Sequence, residues 1–211
     1  MHAVLVTSMK GGCGKTTVAT NLAAAWAGLG LRTGLAELDR QRSATGWLAA
    51  RSAGAAPIQG LDWRREPGAV PAGLERLVVD APAGMRAARL EDLLELVDTL
   101  LVPVAASPYD EASTRRFVAR LVELRQLRKG RCRLFLVGNR LRPRSRAARR
   151  QEEFLRELGQ PVAARLSDRA VYADLAARGM GLFDTSAPAA RAAQAEWSAL
   201  LQRLDEAGDR P

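Results

Sequence analysis

The chain has 211 residues, 47% hydrophobic and 26% charged, which fits one ordinary domain with a buried core and excludes a disordered or low-complexity polymer. No apolar run nears the roughly 20 residues a membrane helix needs; the best, Thr99 to Ala106, is eight long and contains a proline. The net charge of +9 favours a polyanionic partner, nucleic acid or an anionic membrane surface, although 29 of the 32 basic residues are arginine, which a GC-rich gene yields without selection for binding.

In chain order, the first expected strand is Ala3 to Thr7, followed by a glycine-rich turn and a helix over Thr16 to Leu29. Further strands are expected at Thr33 to Leu38, Leu77 to Val79, Leu100 to Ala105, Leu134 to Val137 and Val162 to Leu166. Ser52 to Gly73, with four glycines and three prolines, reads as a long surface connection. Leu90, Leu93, Leu94 and Val97 have helical spacing, as do Phe117, Leu121, Leu124 and Leu127 on the next helix. Ala187 to Ala207 reads as a last helix packed on the sheet through Trp197, Leu200, Leu201 and Leu204. This alternation predicts a single α/β domain over 1–211: a mostly parallel sheet with helices on both faces and ligands at the carboxyl ends of the strands. Cys13 and Cys132 are expected to be reduced thiols, and His2 to be incidental to chemistry. The N-terminal segment has too short an apolar run for a secretory signal, so a cytoplasmic location is expected.

Chemistry concentrates first in Gly11, Gly12, Cys13, Gly14, Lys15, Thr16 and Thr17, between the first strand and the first helix. Glycines let backbone N–H groups turn around a phosphate, and the helix N-terminus adds its positive end. Lys15 brings a point charge to the β and γ phosphates, and the Thr16 hydroxyl is a candidate magnesium ligand. The usual spacing begins with a glycine; here Met9 stands in that place and Lys10 follows, a deviant Walker A motif. Two of the three lysines in an arginine-dominated chain fall in this loop, where a compact ammonium on a flexible stem suits better than a guanidinium.

On these residues the chain resembles the ParA/MinD family of deviant Walker ATPases, over essentially its full length. The resemblance implies a P-loop NTPase fold, ATP and Mg2+, and a homodimer in the ATP state in which Lys10 reaches the partner's phosphates. A second cation there can neutralise charge that develops on the transferred phosphoryl group. The segment from Ala36 to Thr45 is similar to the family's D-x-D-P-Q-G-x-A-T. Asp39 matches the second aspartate, which positions the attacking water; the plain alternative is an aspartate capping the next helix. Glu37, Arg40 and Arg42 depart from that pattern, replacing an aspartate, a proline and a glycine. Leu77 to Gly84 is similar to Walker B and switch II, with Asp80 as the magnesium-holding carboxylate. Lys10, Lys15 and Asp39 are thus the candidate catalytic residues. Asn139, after its strand, is a candidate reader of the base or an ordinary turn residue.

Arg140, Arg142, Arg144, Arg146, Arg149 and Arg150 form an acid-free basic run, and without them the net charge would be +3. Arg142, Arg146, Arg149 and Arg150 have roughly helical spacing and are expected to bind DNA phosphates without reading bases; the alternative is a solvated helix face. The resulting expectation is a DNA-binding ATPase that partitions or positions a plasmid, a chromosome region or a protein assembly. Hydrolysis, stimulated by an adaptor protein, would release it from the nucleoid. Two other readings stand beside it, a MinD-like membrane-associated regulator and a biosynthetic ligase of the dethiobiotin-synthetase type. The acidic segment from Asp205 to Pro211 disfavours the membrane role.

Overall fold

The computed structural model describes residues 1–105 and 107–208. Its seven strands are β1 (His2–Val6), β2 (Thr33–Glu37), β3 (Ile58–Asp62), β4 (Arg76–Asp80), β5 (Thr99–Ala105), β6 (Arg133–Leu141) and β7 (Val162–Ser167). They form one sheet in the order β3-β2-β4-β1-β5-β6-β7, and every pairing is parallel. The helices are α1 (Lys15–Gly28), α2 (Ser43–Ala49), α3 (Ala87–Leu94), α4 (Glu111–Glu123), α5 (Arg125–Arg128), α6 (Arg146–Glu157), α7 (Ala170–Ala176), α8 (Pro188–Gln194) and α9 (Ser198–Gly208). The expected parallel α/β architecture is therefore the observed one.

The period-two geometry of a strand divides the core into two layers. Ala3 and Leu5 of β1, Leu77 and Val79 of β4, and Leu100 and Val102 of β5 face one cluster with Leu90, Leu93, Leu94, Phe117, Leu121, Phe154 and Leu155. Val4, Val6, Val78 and Leu101 face the other, with Val18, Leu22, Trp26, Trp47 and Trp197. Trp26 and Trp197 are wholly buried, each filling space that several aliphatic side chains would otherwise occupy. Both faces of the central strands are thus covered, which is why they read as continuous apolar runs.

Four boundaries differ from expectation. The Ser52 to Gly73 connection contains β3, an edge strand bonded only to β2 and mostly exposed or half-buried, so it needs no apolar run. Strand β6 continues to Leu141 and takes Asn139 and Arg140 into the sheet. Leu124 adopts extended backbone, so the Phe117 to Leu127 pattern belongs to two helices, α4 and α5. The final stretch is broken into α8, a 3-10 turn at Ala195–Trp197, and α9. The end of the acidic tail, residues 209–211, lies outside the described residues, as does Ala106. Among the described residues no helix is long and apolar enough to cross a membrane. Both cysteines are free and buried. His2 begins β1, at the end of the strand away from the glycine loop, with Nε2 3.1 Å from Thr99 Oγ1.

Candidate functional site

Strand β1 lies in the middle of the sheet, where chain connections depart in opposite directions, to β2 on one side and, through β4, to β5 on the other. The crevice at such a switch point is the expected ligand site of an open α/β sheet. A cavity of about 470 Å³ opens there, lined by Met9 to Cys13 and by the ends of β5 and β6; its size is that of a small-ligand site.

The loop's shape depends on two glycines with left-handed backbone, Gly12 at φ 81° and Gly14 at φ 90°. Gly14 is also tightly approached. A β-carbon on it would lie 2.3 Å from Asn139 Nδ2, and that same amide donates a 2.7 Å hydrogen bond to the Cys13 carbonyl. Asn139 is thus a strand residue clamped onto the back of the glycine loop, rather than a turn residue with a free amide. From the other flank, Ser8 Oγ donates to the Lys10 carbonyl at 2.7 Å and Gly84 N–H donates to the Ser8 carbonyl at 2.9 Å. The loop is held from β6 and from the turn after β4.

Lys15 is buried at the start of α1. Next to it, Thr16 Oγ1 donates to Asp80 Oδ2 at 2.7 Å, while Asp80 Oδ1 is buried with no partner. Burial pushes the Asp80 carboxyl up to about 7, against the opposing effects of the Thr16 hydrogen bond and the Lys15 charge. An orphaned carboxylate oxygen beside a threonine hydroxyl is a hard-oxygen donor pair of the kind magnesium takes. No group of three or more His, Cys, Asp or Glu side chains is gathered for a metal among the described residues. A magnesium ion at this pair would take its other oxygens from water and phosphate. Thr16 and Asp80 would hold it, and when bound it supplies neutralising charge for phosphates.

Asp39 is half-buried just beyond β2. Gln41 N–H donates to its Oδ1 at 3.0 Å, a local Asx turn, and Leu38 N–H donates to the Asp80 carbonyl at 2.9 Å, tying this loop to the end of β4. Asp39 does not cap α2. Glu37 does: its buried carboxylate accepts from Ala44 N–H at 3.0 Å and from Thr45 N–H at 2.8 Å, and also from the Thr45 hydroxyl. The departure at position 37 therefore has a structural role, since the longer side chain reaches the helix N-terminus. At its far end α2 is fastened by Arg51, which makes a bidentate buried ion pair with Asp184 at 2.7 and 2.8 Å and donates to the Gly179 carbonyl at 3.2 Å. The loop carrying Asp39 thus runs between two fixed points.

Lys10 has its ammonium 3.0 Å from Asp110 and its side chain 52% exposed, and both residues line the cavity beside the glycine loop. Asp110 stands at the N-cap position of α4 without capping it. Sequence reading passed over Asp110 and also Gln151, whose buried Nε2 donates to the Val104 and Asn139 carbonyls at 2.6 and 3.0 Å and joins the ends of β5 and β6. A glutamine on the sheet-facing side of α6 was the available signal.

The basic run is not one helical face. Arg140 ends β6, Arg142 and Arg144 lie in the following loop, and α6 begins at Arg146 with Ser145 as its cap, accepting from Ala148 N–H at 3.0 Å. All six arginines are exposed. Arg142 pairs with Asp168 and Arg150 with Glu111, and Arg140 and Arg142 line the phosphate-loop cavity. Arg144, Arg146 and Arg149 are the members outside both roles.

Two relatives are similar over nearly the whole chain. Maintenance of carboxysome distribution protein A of Halothiobacillus neapolitanus is 29% identical over 86% of this chain and 87% of its own length. The protein of the same name from Gloeobacter kilaueensis is 33% identical over 97% and 94%. The septum site-determining protein MinD of Pyrococcus horikoshii, solved with Mg-ADP, superposes with a TM-score of 0.67 at 15% identity, covering 100% of this chain and 99% of that one. Residues 4–183 match the CobQ/CobB/MinD/ParA nucleotide binding domain. With a glycine loop after β1, a Thr16–Asp80 contact beside it and the Asp39 loop tied to the end of β4, the chain belongs to this ParA/MinD family of nucleotide-binding proteins.

Proposed function

We propose that the protein is a positioning ATPase that dimerises with ATP and Mg2+, binds non-specific DNA as the dimer and leaves it on hydrolysis. Its cargo in this reading is a large protein assembly of the kind named in its carboxysome-distribution relatives. The observation that carries the reading is the division of labour between two lysines. Lys15 is buried at the start of α1, whereas Lys10 is half exposed and held only by a surface ion pair with Asp110, from which a second subunit's phosphates can take it. Asp39 orients the attacking water, Lys15 binds phosphate, Lys10 acts across the dimer, and an adaptor protein raises the slow basal turnover. Arg144, Arg146 and Arg149 contact DNA phosphates, doubled in the dimer, and the resulting location is the nucleoid within the cytoplasm.

Fluorescence anisotropy on random duplexes with ATP, ADP and no nucleotide tests this across a salt series. Tight binding is expected only with ATP. Asp39→Ala is expected to hold ATP and DNA while turnover falls by about tenfold or more. Charge reversal of Arg144, Arg146 and Arg149 is expected to flatten the log-log salt slope by about 1 per lost phosphate contact. Equal affinity in all three nucleotide states would overturn the switch.

A further inference from the structure

A second concentration of arginine lies on the opposite flank of the Asp39 loop from the 140–150 run. Arg40, Arg64, Arg65 and Arg89 line a groove of about 800 Å³, with Asp62 and Glu66 among them. An adjoining cavity of about 240 Å³ shares Arg40, Arg64 and Arg89 and reaches Leu38, Asp39 and Pro82. Arg64 is neutralised by a bidentate contact with Asp62. Among the ion pairs of the described residues none includes Arg40, Arg65 or Arg89; the Arg89 guanidinium donates only to the Arg65 carbonyl, at 3.3 Å. Nearby Arg42 keeps a left-handed backbone, φ 59°, which a β-carbon disfavours. Arg40 stands where the resembled pattern has proline, so that departure adds a cation to this rim.

We propose that this groove docks an acidic segment of a protein partner, and that the segment lies against the loop bearing Asp39. Three unpaired guanidiniums in a concave site match spaced carboxylates, which they can bind in bidentate fashion. The carboxylate of Glu66, which is in no ion pair among the described residues, disfavours a continuous polyanion such as duplex DNA, whereas a peptide can place a backbone amide or a neutral side chain beside it. Because the groove is continuous with Asp39 and Pro82, an occupant bears directly on the two loops that follow β2 and β4. Identifying this partner as the adaptor that stimulates hydrolysis rests on the function proposed above; the docking itself does not.

The experiment uses the full chain and a short fluorescent glutamate-rich peptide, with a lysine-rich peptide and a random DNA duplex as the other arms. Arg65→Glu/Arg89→Glu is compared with Arg146→Glu/Arg149→Glu, which matches it in net charge. Peptide affinity is expected to fall by about tenfold or more in the first variant and to stay at the wild-type value in the second. The lysine-rich peptide is expected not to bind. Basal ATP turnover is expected to be unchanged in the Arg65 and Arg89 variant. Equal loss of peptide binding in both variants would reduce the effect to net charge and overturn the proposal. So would a loss of duplex binding, with peptide binding intact, in the Arg65 and Arg89 variant. A wild-type protein that binds the peptide but does not turn over ATP would overturn the ATPase reading alone and leave the groove standing.

Discussion

Asp80 is a buried carboxylate that is unfavourable for the free protein, a penalty that a cation held there would relieve. Its folded-state pKa, raised from 3.8 to about 7 chiefly by burial, means that the folded chain keeps a proton the unfolded chain has released between those values. The contribution of this group to the stability of the nucleotide-free protein therefore falls as pH rises through that window and changes no further above it. Asp80→Asn removes the titration while keeping the size of the side chain. The nucleotide-free variant is expected to melt roughly 5 °C above wild type at pH 8 and by clearly less at pH 5, where only part of the loss has occurred. Calorimetry at the two pH values measures this; an equal difference at both would contradict the burial of an ionisable Asp80. Asn139 makes a related point without titration. Its amide could be named as a site residue from sequence, but its contact with the Cys13 carbonyl comes from β6, 126 residues away.

At the scale of elements, α2 connects the Asp39 loop to the remainder of the molecule. Glu37 holds its start, and Arg51 stacks over Trp47 at 4.9 Å while pairing with Asp184 at its end. Both side chains of that ion pair are buried, at 6% and 2% exposure, so deleting one partner leaves an uncompensated charge in a dry site. Arg51→Ala is expected to cost about 3 kcal/mol, a drop of roughly 5–10 °C in Tm, measurable by thermal denaturation. A change near zero would mean that α2 is not anchored from this end. Strand β3 is a contrasting case. It contributes little apolar surface, and its pairing with β2 over Ile58 to Asp62 places Asp62, and Arg64 beyond it, beside the Asp39 loop.

For the whole molecule, the exposure of Lys10 allows folding and the proposed assembly to be tested apart. Its contact with Asp110 is an exposed ion pair, a class that contributes about 0–1 kcal/mol. Lys10→Ala is therefore expected to fold and melt like wild type and to retain nucleotide, yet to remain monomeric in light scattering with a non-hydrolysed ATP analogue. Normal dimerisation of that variant would remove the cross-subunit role and favour a ligase-type enzyme.

The order of strands and helices was legible along the chain because each central strand is a local apolar run and each main helix a local periodicity. The glycine loop was legible for the same reason: Gly11 to Thr17 meet their phosphate-binding requirements within one short segment following β1. Edge strand β3 lacked that signal, since a strand with one neighbour and an exposed face needs neither hydrophobic continuity nor alternation. The division of Arg140 to Arg150 among a strand end, a loop and a helix was also hidden, because pairing of β6 with its neighbours extends that strand past its apolar core. Residue types and spacing by themselves determined the family, the fold and the place of the glycine loop. Tertiary structure alone decided that Glu37 caps α2, that Asn139 clamps the loop, and that Arg40, Arg65 and Arg89 share a groove. Those relations join segments far apart in the chain, and only packing on a common sheet brings their polar groups within reach of one another.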